Sequence, residues 1–234
     1  MRNRQLSLIF FLIAELYLYV MLICFNSLIN IKILSFLSIL LCFIISLFMH
    51  CKTKDYYIMI LALFFTLLSD IFFIFFDKLI VFGLISLNIT QILYFLRIYI
   101  DSEYEKKNLI NRVIFIPLGL IFCYLLLKER MDISSILWVI FIINLFINIL
   151  FTIKEIGLNN FFPIGLLLLL MYSVSMMFVS LPNYININVP FIDFLIELPF
   201  DIKWAFYLPA VVVLTCSIFT VNRRSYSKIN RDEE

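Results

Sequence analysis

The chain has 234 residues, of which 64% are hydrophobic and 15% charged, with a net charge of +2. Soluble domains are roughly 45–50% apolar, so a chain this apolar must count lipid as part of its solvent. The near-neutral charge points to no nucleic-acid partner, and a single histidine, His50, excludes His-cluster metal sites and Ser-His-Asp triads.

Arg2 and Arg4 precede an apolar run from Leu6 to Leu28. That run is too long for a signal-peptide core and lacks a small-residue cleavage site, so it is expected to stay as the first span. Runs of about 20 apolar residues cross a ~30 Å hydrocarbon core as helices, because the backbone must satisfy its own hydrogen bonds there. Eight such runs are expected: 6–28, 31–49, 56–76, 79–100, 113–127, 133–153, 161–182 and 204–222. The fifth is the shortest and contains Pro117 and Gly119.

Charge decides whether the fifth run crosses. With eight crossings, Arg2, Arg4, Lys52, Lys54, Arg97, Lys106, Lys107, Arg112, Lys154, Arg223, Arg224, Lys228 and Arg231 share one side. Only Lys32, Lys78, Lys128, Arg130 and Lys203 lie on the other. The positive-inside rule makes the first side cytoplasmic, with both termini on it. The expected fold is therefore all-α: one polytopic bundle of eight transmembrane helices over 1–222, then a short charged cytoplasmic tail over 223–234. The outer segment 183–203 carries Asp193, Glu197 and Asp201 at four-residue spacing, interrupted near Pro199, which suits a short interfacial helix.

Asp70 is the most informative residue. It lies inside LALFFTLLSDIFFIFF, and a charge near the bilayer centre costs at least ~2.5–3.5 kcal/mol, so it normally faces a protected interior and marks a function. It sits roughly 20 Å from the cytoplasmic boundary, with Asn88 roughly 14 Å and Gln91 roughly 18 Å below the outer one. Asn88, Gln91 and Tyr94 or Arg97 fall on one stripe of the fourth helix, and Thr66, Ser69 and Asp70 on one stripe of the third. Two such stripes on adjacent helices are expected to face each other or a shared cavity. Glu15 on the first span is expected to form a structural ion pair with Arg97; the alternative is a second catalytic carboxylate. Asn144 and Asn148 form an i, i+4 pair that glues helices, and Tyr172, Ser173 and Ser175 place hydroxyls on the seventh span. The five cysteines have no CxxC spacing and read as small hydrophobes, so neither a metal nor a cofactor is expected.

The third and fourth spans, TLLSDIFFIFFDKLIVFGLISLNITQILYFLRIY, resemble those of the YhhN-like, or lysoplasmalogenase, family of eight-span membrane proteins. Ser69-Asp70, Phe82-Gly83, Gln91 and Tyr94 match that family's order and spacing, and Tyr207 matches a tyrosine of its last span. The resemblance implies hydrolysis of the vinyl ether bond of a lysolipid. Asp70 is then the catalytic acid, and Asn88, Gln91, Tyr94, Ser175 and Tyr207 bind substrate. The implied partner is a membrane lipid or lysolipid. The family uses a second aspartate on the seventh span; here Ser175-Met176 stands in its place, and Val211 stands near an expected glutamine. Two further readings stay open beside hydrolysis: a relative that binds or senses lipid without catalysis, and a small transporter that uses Asp70.

Overall fold

The computed structural model describes residues 2–24, 31–48, 53–101, 107–127, 132–156, 160–184 and 204–218. Among them the chain forms eight α-helices and no strand. These are α1 Arg2–Cys24, α2 Ile31–Phe48, α3 Lys54–Phe75, α4 Ile80–Asp101, α5 Lys107–Leu127, α6 Ile133–Ile156, α7 Phe161–Tyr184 and α8 Trp204–Ile218. One 3-10 turn, Asp77–Leu79, joins α3 to α4. The expected interfacial helix over 183–203 and the charged tail over 223–234 lie outside the described residues, apart from the last two residues of α7.

Four stretches are long and apolar enough to cross a membrane: Gln5–Cys24, Lys54–Phe75, Ile80–Ile100 and Ile133–Lys154. Lys32–Phe48, Arg112–Phe122, Phe161–Met176 and Trp204–Ile218 are apolar but shorter. The outward faces match an embedded protein. On α5, Val113, Ile114, Leu118, Ile121, Phe122 and Leu125 are all at least half exposed. Water does not tolerate so large a continuous apolar surface, whereas lipid covers it at no cost. The fifth helix is also longer than the 113–127 read from the sequence, because it begins at Lys107 and runs through Pro117 unbroken. A helix interior ordinarily resists proline, but within an apolar bundle the freed carbonyl is accommodated by neighbouring groups.

Side-chain pairs give the helix directions. Between α2 and α3, Phe36 meets Phe75 and the Tyr56 hydroxyl donates to Ser46 O at 3.0 Å. Between α3 and α4, Phe72 meets Phe82, Thr90 donates to Ala62 O, and Arg97 pairs with Asp55. Between α7 and α8, Gly165 touches Leu214 and the Tyr172 ring packs, tilted, against Tyr207. In each case early residues of one helix meet late residues of the next, so these neighbours are antiparallel. The α3–α4 pair, joined by the 3-10 turn, is the most extensive packing in the bundle.

Two glycines permit close approach. A Cβ on Gly83 would lie 2.6 Å from Cε1 of Phe73, so the glycine lets the Phe73 ring lie against α4. A Cβ on Gly165 would lie 2.6 Å from Leu214 Cγ and 3.1 Å from the Leu214 backbone nitrogen. Backbone cannot step aside as a side chain can. Gly165→Ala is expected to destabilise the bundle by about 1–3 kcal/mol, the usual cost of overpacking, as a lowered thermal midpoint in detergent. An unchanged midpoint would show that α7 and α8 separate freely.

The start of α6 shows a capped end that the apolar pattern did not reveal. Asp132 Oδ1 accepts from the Ser135 backbone N–H at 2.8 Å and from the Ser135 hydroxyl at 2.5 Å. These bonds favour the ionised form and hold the Asp132 carboxyl below its ordinary value. Because the folded value is the depressed one, the cap's contribution is present above the unfolded value of 3.8 and fades as pH falls through the folded one. Asp132→Ala is therefore expected to lower stability by ~0.5–2 kcal/mol near neutral pH, with the gap to wild type closing in thermal melts taken below pH 3.

Candidate functional site

Asp70 lies on the fifth turn of α3 and is buried, 4% exposed. Its hydrogen-bond partner among the described residues is the Tyr207 hydroxyl of α8, which donates to Oδ2 at 2.7 Å. The two residues are separated by 137 positions in sequence. Tyr207 is held in turn by rings on both sides: Tyr172 of α7 with centroids 4.7 Å apart, and Trp204 one turn back along α8 at 5.8 Å. The phenol is thus fixed by packing before it reaches the carboxyl. The neighbouring hydroxyls turn away. Thr66 Oγ1 donates to Ala62 O, Ser69 Oγ to Thr66 O, and Ser175 Oγ to Tyr172 O, each bonding its own helix. Such back-bonding satisfies a hydroxyl with no ligand. Ser175 is therefore buried near the Tyr172–Tyr207 ring pair without a hydrogen bond to Asp70.

The fourth helix divides its polar residues among other neighbours. The Tyr94 hydroxyl lies near Thr66 of α3, and its ring meets Phe162 of α7 edge-on at 5.6 Å. Asn88 Nδ2 donates to Leu84 O at 2.9 Å and to Leu137 O of α6 at 3.0 Å. Gln91 Oε1 accepts from Asn148 Nδ2 of α6 at 3.0 Å. Asn88 and Gln91 therefore turn toward α6, while Asp70 turns toward α8. The shared face expected for the two stripes does not form, and no hydrogen bond among the described residues joins Asn88 or Gln91 to Asp70. The register of α3 against α4, fixed by the Ala62–Thr90 and Asp55–Arg97 contacts, also sets Asn88 roughly 6–9 Å from the level of Asp70 along the bundle.

The expected Glu15–Arg97 ion pair is corrected by the structure. Arg97 Nε and Nη2 grip Asp55 at 2.6 and 3.3 Å, and Nη1 donates to Ser217 Oγ at 2.7 Å. The guanidinium also sits 4.3 Å over the Phe162 ring. One side chain thereby ties the start of α3 and the ends of α4 and α8 to the start of α7. Depth alone placed Glu15 within reach of Arg97, but Asp55, at the first turn of α3, faces Arg97 across the antiparallel pair. Glu15 belongs to a separate cluster: Ser38 donates to Oε2 at 2.5 Å and the Cys42 thiol to Oε1 at 3.5 Å.

Cys42 in turn lies beside Thr215 of α8. Thr215 lies eight residues beyond Tyr207, roughly 12 Å along the same helix. Glu15 is thus no second carboxylate for Asp70.

A third network joins α4, α5 and α6. Arg112 donates to Asn144 Oδ1 at 2.5 Å and to Asn148 Oδ1 at 2.6 Å, with its guanidinium 4.3 Å over the Phe95 ring. The Asn144–Asn148 pair does glue helices, and its partner is an arginine that the sequence had placed at a membrane boundary. Among the described residues, no group of three or more His, Cys, Asp or Glu could hold a metal ion. The chain matches no known family model, no curated protein and no solved structure.

Proposed function

We propose that this protein is a divergent relative of the YhhN-like enzymes, crossing the cell membrane eight times with both termini in the cytoplasm. We propose that it cleaves the vinyl ether bond of a lysolipid. The topology rests on the positive-inside count and on the antiparallel packing of α2 on α3, α3 on α4 and α7 on α8. The activity rests on one observation. Asp70 and Tyr207, which carry the resemblance on the third and eighth spans, meet at 2.7 Å although 137 residues separate them.

The chemistry asks for a carboxylic acid that protonates the vinyl ether at its outer carbon, giving an oxocarbenium ion on the carbon beside the ether oxygen. Water adds to that carbon, and the resulting hemiacetal breaks its bond to the ether oxygen. A fatty aldehyde and the free alcohol of the glycerol backbone leave. Tyr207 occupies Oδ2 of Asp70. That leaves Oδ1 as the atom that gives the proton. Once deprotonated, the same carboxylate can offset the cation and accept a proton from the attacking water. One acid acting in both half-steps replaces the pair used by the family, with a slower second step. Aldehyde release from lysoplasmalogen by the purified full-length protein tests the reading. Its absence from folded protein overturns it.

A second reading is favoured by the seventh span. Met176 stands where the family carries an acid, and the neighbouring Ser175 bonds its own backbone. A bundle that binds lysolipid without cleaving it would retain lipid through purification and release no aldehyde.

A further inference from the structure

Two buried polar atoms on α4 lack a partner among the described residues: Asn88 Oδ1 and Gln91 Nε2. Their chemistry is fixed by the network around them. Arginine can only donate, so the Arg112 bond at 2.6 Å makes the near atom of Asn148 its oxygen. Asn148 Nδ2 then points at Gln91 and donates both to its backbone O and to Oε1, each at 3.0 Å. Gln91 must therefore present Nε2, a donor, on its remaining side. Asn88 is fixed in the same way, because both of its amide contacts are carbonyls, Leu84 O and Leu137 O. Its remaining atom is an acceptor. Residues 88 and 91 are three apart, so their side chains leave α4 from one stripe, with a rise of roughly 4.5 Å between their backbone positions.

Leaving either atom unpaired costs more than most side-chain hydrogen bonds return. An anion would satisfy Gln91 only, and an ammonium Asn88 only. Either charge would also have to be buried beside a side chain that is 0% exposed. One neutral group meets both needs: a hydroxyl, which accepts from Nε2 and donates to Oδ1. We propose that Asn88 and Gln91 form a binding site for a single uncharged hydroxyl, either a water or the alcohol of a lipid. The site is independent of the chemistry at Asp70.

Two measurements on the full-length protein in lipid bilayers test it. With side-chain amides labelled, solid-state NMR transfer from water protons to Gln91 Nε2 is expected if water is the occupant. If a lipid alcohol is the occupant, native mass spectrometry is expected to show retained monoolein but no retained methyl oleate, which lacks a hydroxyl. Monoolein retention should then fall about tenfold in Asn88→Leu and in Gln91→Leu, the factor for one lost hydrogen bond of about 1.4 kcal/mol. Asp70→Asn should change neither readout, which separates this site from the hydrolase reading. Wild-type protein with neither a water contact at Gln91 nor hydroxyl-dependent retention of monoolein overturns the proposal, and that result needs no variant to fold.

Discussion

Asp70→Asn is expected to abolish aldehyde release from lysoplasmalogen, by about 10²–10⁴-fold, the usual worth of a positioned general acid. The substitution is informative because it spares the structure. An asparagine oxygen still accepts from Tyr207, so the 2.7 Å bond across α3 and α8 survives while the proton donor is lost. The folded fraction and thermal midpoint should therefore stay close to wild type while turnover disappears. Tyr207→Phe is the companion. It keeps the ring packed against Tyr172 but removes the hydroxyl that fixes the carboxyl, and a fall of about tenfold is expected, as for one lost hydrogen bond. Undiminished turnover in Asp70→Asn would remove Asp70 from the mechanism.

The largest effect on stability is expected at the other end of the bundle. Arg97→Ala leaves the Asp55 carboxylate buried without its cation, and breaking one side of a buried pair costs about 3–5 kcal/mol. Loss of the contacts to Ser217 and Phe162 adds to that cost, since four helices lean on the same guanidinium. Thermal denaturation in detergent should show Arg97→Ala strongly destabilised. The double variant Arg97→Met with Asp55→Leu should recover part of the loss, because no unpaired charge then remains. Glu15→Gln supplies the contrast. It retains an acceptor for Ser38 and Cys42 and is expected to be mild. Equal damage from Glu15→Gln and Arg97→Ala would restore Glu15 as the partner of Arg97.

Much of this architecture can be read from the order of residues. Apolar runs and charge placement yield the helices to within a few residues, since lipid enforces one backbone solution over each run. The fifth helix is the exception, because an arginine and a proline interrupt its hydropathy while the helix continues through both. Asp70 and Tyr207 were legible as candidates because buried polar side chains in an apolar run stand out. Ser175 also stood out, yet its hydroxyl is satisfied by its own helix.

The sequence by itself determined that this is an all-helical membrane protein with a carboxyl deep in its third helix, because composition and periodicity are properties of one strand of text. Tertiary structure alone decided the pairings. Arg97 chose Asp55 over Glu15, Asp70 met Tyr207, and Asn88 and Gln91 turned to α6, since these contacts depend on helix rotation and register. Depth along a helix follows from counting residues. The direction in which a side chain points is set by which neighbour packs against that face, and a single sequence does not carry it.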